Sequence, residues 1–281
     1  MPTSKIEVGT TKFAVADPAG CAHNLGMSGY GQFCPIARAS EVFAERWTPL
    51  IVREIMSDHH HFSEILKGLH SISPSMLGQR LRSLEQKGVI ETGPNPTGRG
   101  STYYLTDAGS QLAEIVRGLG IWGQQWLEVQ RQHLDADVAM WAILTHLHPD
   151  TLPSRRRVVR FEFRDDKRRY WLVLRRDDPD LCYSDPGFGD DLVIRTDLEC
   201  ITRVYLGELR LADARRSGRL DVEGSRELAR GLDEWFPVSS FGAHARLVKF
   251  DRSSDSFVRI KPSRVAAAQR PEFIKTLTIQ P

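Results

Sequence analysis

After residue 34 the first half of the chain carries apolar residues at helical spacing, and part of the second half carries them at alternate positions. Residues 1–33 show neither period; they are rich in Gly, Ser and Thr and read as a mobile tail. Met27, just before the first periodic segment, is an alternative translation start. Cys34-Pro35 opens an amphipathic helix with Ile36, Ala39, Val42 and Phe43 on one side. Thr48 as cap and Pro49 in the first turn begin a second helix, striped by Leu50, Ile51, Ile55 and Met56. A polar break over 58–61 leads through Phe62 to a short helix, 63–69, capped by Ser63, with Ser71-Ile72 as its turn. Ser73-Pro74 repeats the cap-and-proline signal and opens a helix that runs to Lys87 and stops at Gly88. Short strands at 89–91 and 102–105 flank a Gly- and Pro-rich tip. Thr106-Asp107 then caps a long helix bearing Leu112, Ile115, Val116, Leu119, Trp122 and Trp126. Four helices, a hairpin with a long tip and a last helix make a winged helix-turn-helix.

Past residue 133 the pattern changes. Residues 134–147 form a helix with Trp141, Leu144 and Leu147. Segments 157–164 and 169–174 alternate as strands, with Val159, Phe161 and Phe163 on one face of the first and Tyr170, Leu172 and Leu174 on the second; Asp165-Asp166 turns between them. A strand at 191–196, a helix from its Asp197 cap to Tyr205, a helix at 209–217 ended by Gly218, a strand at 220–222 and a helix at 224–236 complete the segment. This is an α+β domain with a mainly antiparallel sheet. Beyond 238 the period is weak, though short strands fit at 247–250 and 257–260. The reading divides the chain into a tail (1–33), a winged helix (34–132), an α+β domain (133–237) and an unassigned C-terminal tail (238–281).

Composition removes several classes. Lys and Arg total 38 against 36 acids, a net charge of +2, which excludes a polybasic tail protein and an acidic disordered one. Apolar residues at 41% and charged ones at 26% suit a globular chain. No apolar run reaches the roughly 18 residues of a membrane span, and no secretory signal opens the chain, so a cytoplasmic location without a membrane partner is expected. Four cysteines without a CxxC pair suggest reduced thiols. Asp58-His59-His60-His61 reads as a structural loop, since successive residues do not converge on one ion; no metal is expected. Nucleotide-loop and nucleophile-elbow motifs are missing, so neither an enzyme nor a cofactor is expected.

The helix from Ser73 has the two faces that major-groove reading requires. Leu77, Leu81 and Leu84 form its apolar stripe; Ser73, Ser75, Gln79, Arg82 and Ser83 lie opposite, with Met76 and Arg80 on the flank. Gln suits adenine, Arg suits guanine or phosphate, and Ser adapts to either. Arg99, between glycines on the hairpin tip, is placed to reach phosphates or a narrow minor groove. Trp122 and Trp126 exceed what a small domain consumes; a second copy or the C-terminal domain would cover them.

In order along the chain, Cys34-Pro35, Arg46-Trp47-Thr48-Pro49-Leu50-Ile51, His61-Phe62-Ser63-Glu64-Ile65, Ser71-Ile72-Ser73, Met76-Leu77-Gly78-Gln79-Arg80-Leu81, Gly88-Val89-Ile90, Tyr104-Leu105-Thr106-Asp107-Ala108-Gly109 and Trp122-Gly123 resemble the HxlR-type regulators over residues 34–128. The resemblance implies a homodimer built from the first and last helices, and sequence-specific binding of duplex DNA by the Ser73 helix and the wing. Two-fold symmetry then calls for an inverted-repeat operator. Two places depart from the family: Glu45-Arg46-Trp47 stands where Gly-Lys-Trp is usual, and the wing is Pro94-Asn95-Pro96-Thr97-Gly98-Arg99-Gly100 rather than a basic or proline-rich run. Some HxlR relatives sense oxidants through a cysteine at the position of Cys34, a redox-sensor candidate at a helix N-terminus; a small packing residue is the commoner role.

Residues 206–229, with Gly207, Gly218 and Gly224, resemble the C-terminal half of sterol-carrier-type lipid-binding domains. That resemblance implies a domain able to hold an apolar small-molecule effector, with Trp141, Leu144, Phe161, Phe163, Tyr170, Leu172 and Tyr205 as candidate pocket residues. The rival reading is a lipid-binding or assembly protein whose winged helix makes only protein contacts.

Overall fold

The computed structural model describes residues 29–94 and 100–260. The chain separates into two compact units, one ending at Glu45 and one beginning at Arg46. In the first unit, α1 (Pro35–Phe43) starts at its proline, and the Tyr30 amide donates to Glu41 Oε1 at 2.7 Å.

The second unit opens with α2 (Thr48–Met56), entered through a left-handed residue, Trp47, at φ 82°. Glu45, at the position of the glycine usual in the resembled pattern, is not among the residues with positive φ. Next comes α3 (Phe62–Leu69), which starts one residue before the serine expected to cap it. His61 is the cap instead: its amide donates to Glu64 Oε2 at 2.9 Å, closing a capping box. Helix α4 (Pro74–Gln86) buries Leu77, Leu81 and Leu84, and Gly88 turns the chain at φ 68°. Strands β1 (Ile90–Pro94) and β2 (Ser101–Leu105) pair antiparallel. Residues 60–61 add a short third partner, with the Tyr103 amide donating to His60 O at 2.9 Å and His61 bridging to Thr102.

Helix α5 (Asp107–Trp126) is capped by Thr106, whose Oγ1 accepts from the Gly109 amide at 3.1 Å. Its stripe Gly109, Ala113 and Val116 packs into the winged helix, and the same stripe continues through Gly120 and Gln124. There it meets the C-terminal domain. The Phe241 ring covers Gly120, where a Cβ would lie 2.5 Å from ring carbons. Gln124 Nε2 donates to Glu208 Oε1 at 3.2 Å and to Leu206 O at 3.4 Å.

The C-terminal domain begins with α6 (Ala136–Thr145) and is built on a five-stranded sheet: β3 (Arg157–Phe163), β4 (Arg169–Leu174), β5 (Asp180–Cys182), β6 (Leu192–Thr196) and β7 (Leu220–Gly224), in the order β5-β4-β3-β6-β7. Only the β3–β6 pair within it is parallel. One face, with Val159, Phe161, Tyr170, Leu172 and Ile194, forms the core with α6 and α7 (Leu198–Tyr205). The other carries a charge ladder in which Glu162 pairs with Arg160, Arg169 and Arg195. Helix α8 (Leu211–Arg216) precedes β7, and the helix expected over 224–236 is two short ones, α9 (Arg226–Arg230) and α10 (Leu232–Trp235), parted at Gly231. Strand β7 runs on to Gly224, which at φ 122° passes so close to Asp191 that a Cβ would meet its carbonyl at 2.5 Å. Strands β8 (Val248–Asp251) and β9 (Ser256–Arg259) form a hairpin at the expected positions.

Inside this domain Arg203 and Glu208 form a buried ion pair at 2.6 Å, and Arg203 also meets Glu199 at 2.8 Å. Burial pushes the Glu208 carboxyl up, against the pull of Arg203.

The closest backbone approach in the winged helix gives a direct test. A Cβ on Gly109 would lie 2.0 Å from the Val89 carbonyl oxygen, a backbone atom with no rotamer to turn away. Gly109→Ala is expected to destabilise the protein by about 1–3 kcal/mol, despite alanine's better helix propensity. A lowered urea midpoint at unchanged slope would show it.

Candidate nucleic-acid interface

The candidate reading helix is α4. Ser73 has extended φ/ψ and its Oγ accepts from the Met76 amide at 3.2 Å, while Ser75 Oγ lies 3.1 Å from the same atom. Pro74 follows at the first helical position, where its missing N–H costs nothing. With Leu77, Leu81 and Leu84 buried, the opposite face is left to solvent: Ser73, Ser75, Met76, Gln79 and Arg82 are exposed, and Arg80 and Ser83 are half-buried. Ser75, Gln79, Arg82 and Ser83 lie opposite the packed leucine stripe, with Ser73 at the cap, Met76 on the flank and Arg80 at the edge of the stripe. That arrangement can present amide, hydroxyl and guanidinium groups to a groove edge. Ser73 has a second duty as helix cap.

The hairpin β1–β2 stands beside α4. Burial, helped by Glu85 and opposed by Arg82, pushes the Tyr103 phenol up, which places the second strand near the end of the reading helix. Arg99 lies outside the described residues. Sequence reasoning took 58–61 as a polar break and missed its role in seating the hairpin. His59 Nδ1 pairs with Glu54 Oε2 at 2.7 Å, His60 Nδ1 donates to Tyr103 O at 3.0 Å, and His61 caps α3. The Glu64 three residues after His61 was the signal for that cap.

On α5 a second stripe, Ile115, Leu119, Trp122 and Trp126, recurs at i, i+4, i+7 and i+11 and is 45–59% exposed. Cys34 is half-buried at the start of α1, and its carbonyl accepts from the Arg38 amide at 3.0 Å.

Of the candidate pocket residues, Phe161, Phe163, Tyr170 and Leu172 are buried together in the C-terminal core, and Leu144 and Tyr205 pack against it. Trp141 instead faces the winged helix, between Lys67 and His59. A polar cavity of about 540 Å³ opens along Glu162, Phe163 and the hairpin to Arg169. His70, Asp135 and Asp137 come within reach of one another, but Asp135 caps α6 and both Asp137 oxygens accept from Tyr170 and Arg168. No helix among the described residues is long and apolar enough to cross a membrane.

The model of the HxlR-like helix-turn-helix family matches residues 42–131, which hold α2 to α4, the hairpin strands and all of α5. YvaP of Bacillus subtilis, an uncharacterised HTH-type transcriptional regulator, is 33% identical over 99 residues, 34% of this chain and 92% of YvaP. The HTH-type transcriptional regulator YodB of the same bacterium is 32% identical over 34% of this chain and 87% of its own length. The solved reduced form of YodB aligns with 31% identity over 34% of this chain and 97% of that one, at a TM-score of 0.30. The family model ends at residue 131, before the first strand of the sheet domain. With 33% identity over 99 aligned residues that span nearly the whole of a curated relative, and a polar helix face backed by leucines at the matched place, the chain belongs to the HxlR-like helix-turn-helix family and is a DNA-binding transcriptional regulator.

Proposed function

We propose that the protein acts as a homodimer on an inverted-repeat operator, reading each half-site with α4, and that its C-terminal domain is an effector domain that adjusts operator affinity through α5. The observation that carries this reading is the division of α5 into two stripes. Gly109, Ala113 and Val116 are buried in the winged helix and Gly120 and Gln124 contact the sheet domain, while Ile115, Leu119, Trp122 and Trp126 stay exposed. An uncharged ridge of that length suits a second copy of itself across a two-fold axis. Ser73, Ser75, Met76, Gln79, Arg80, Arg82 and Ser83 are assigned to base edges and phosphates, with Arg99 of the wing on phosphate or minor groove.

The C-terminal domain is read as sterol-carrier-like. Support comes from the succession of α8, the Gly218-led strand β7, the Gly224 turn and α9 behind an aromatic sheet face. Such a domain would take an apolar effector against Phe161, Phe163, Tyr170 and Leu172. It changes DNA binding only if the effector prefers one of two α5 arrangements. Titrating fatty acyl and sterol ligands against tryptophan emission and operator affinity tests this; silence in both readouts removes the effector role.

Two variants test the DNA and dimer assignments. Gln79→Ala is expected to cost about 1–3 kcal/mol on the specific site, while Arg99→Ala weakens all sequences alike and flattens the salt slope, both read by gel shift across salt concentrations. Trp122→Glu is expected to convert the dimer to monomer in sedimentation velocity and to shrink the footprint to one half-site. A fully dimeric Trp122→Glu protein would move the interface elsewhere.

A further inference from the structure

The β8–β9 hairpin has one face that the sheet domain does not use. In its register Val248 pairs with Arg259 and Phe250 with Phe257, and these positions look inward: Val248 is buried and Phe257 packs on the core. Strand alternation turns the positions between them outward. There Lys249 lies opposite Val258, and the Ile260 amide donates to Leu247 O at 2.8 Å. Leu247, Val258 and Ile260 therefore share the outer face with a single charge, Lys249, and all three apolar side chains are exposed.

This face lies beside the exposed ridge of α5. The Arg246 guanidinium, next to Leu247, is 4.4 Å from the Trp126 ring. Arg259, next to Ile260, donates from Nη2 to Leu127 O at 3.4 Å and pairs with Glu128 at 3.2 Å. The hairpin is thus pinned to the end of α5, where Trp126 and Leu127 are 59% and 58% exposed. The ridge side chains expose about 450 Å², within what the largest apolar patch of a monomer carries. Leu127 and the hairpin face add about 300 Å², which passes that range and comes close to the roughly 800 Å² that each partner gives up in a standard interface.

We propose that the outer face of β8–β9 is a second part of the homodimer interface, buried against another copy of this chain in line with the α5 ridge. This rests on the dimer reading of α5 and adds to it that the C-terminal domain takes part. One lysine among apolar side chains makes the face a poor match for DNA phosphates, whereas continuity with the ridge suits the same two-fold partner. With the hairpin in the interface, each sheet domain touches the partner as well as its own α5. A change within the sheet domain then bears directly on the spacing of the two reading helices.

Sedimentation equilibrium and hydrogen exchange of the full chain without DNA test this. Wild type is diluted from dimer to monomer, with Trp122→Glu as the monomer reference. Peptides over 247–260 are expected to lose protection in step with those over 115–127. Loss at 115–127 alone, as when the chain's own residues cover the hairpin, overturns the proposal and leaves the α5 dimer standing. A wild type that is monomeric at every concentration overturns both. Val258→Glu puts a carboxylate opposite Lys249, which keeps the hairpin paired. It is expected to raise the dimer dissociation constant about tenfold or more, since the new charge must be desolvated on association. An unchanged constant would overturn the proposal and leave Phe33 and Ile36, exposed at the start of α1, as the companions of the ridge.

Discussion

The stripe of small residues on α5 is the constraint on which the rest of the molecule depends. Gly109 and Gly120 give up helix propensity, roughly 1 kcal/mol each relative to alanine, for close approach on one side of the helix. The first lets the Val89 backbone touch the helix; the second lets the Phe241 ring pack against it. Because these contacts sit about three turns apart on one face, a single rigid rod carries both the hairpin that flanks α4 and the loop that packs on it from the sheet domain. A rotation of that rod would move both, and it would carry the exposed tryptophan ridge with it.

The DNA-reading part of the fold was legible because its signals are local. Ser73-Pro74 and Thr106-Asp107 each place a capping oxygen at the first turn of a helix, and leucines at i, i+4 and i+7 of α4 fix which side faces inward; Thr48, expected as a cap, is instead the first helical residue of α2, with left-handed Trp47 before it and no side-chain cap. Where the structure departed from expectation, either a competing local signal won or the deciding contact was elsewhere in the chain. Serine is the favoured cap, so Ser63 was the natural choice, yet Glu64 reaches back to His61 and α3 begins at Phe62. Residues 224–236 have helical spacing throughout, but Gly224 is held to the end of β7 by Asp191, and the helix restarts from Ser225 and again after Gly231. Strand β5 spans three residues, too few to display a period. Trp141 has the apolar bulk of a pocket residue; only the tertiary fold turns it toward Lys67 and His59.

The interface between the two halves adds polar contacts to the Phe241 and Trp141 rings. Gln124 donates to Glu208, Arg259 meets Glu128 at 3.2 Å, and the Arg246 guanidinium lies 4.4 Å from the Trp126 ring. The exposed Arg259–Glu128 pair contributes little, and the buried Glu208 charge gains little net stability compared with apolar packing, since desolvation offsets most of its attraction. They do penalise misplacement heavily, because a shifted partner leaves a charge unpaired. Such contacts define a few discrete arrangements rather than a continuum.

That property bears on how a signal would cross from the sheet domain to the DNA. An apolar contact of the same area would tolerate sliding, and a small displacement in the core would be absorbed before it reached α4. Glu208 is buried, paired with Arg203 of α7 and accepting from Gln124 of α5, so movement of α7 relative to α5 must either keep Gln124 with it or lose a hydrogen bond to a charged group worth about 1.5–3 kcal/mol. Anything that repositions α7, which packs directly on the aromatic face of the sheet, is therefore transmitted to α5 as a rigid displacement. Under the proposed effector role, the displacement would reach the reading helix through the Val89 backbone, which meets α5 at Gly109 and has no rotamer with which to yield.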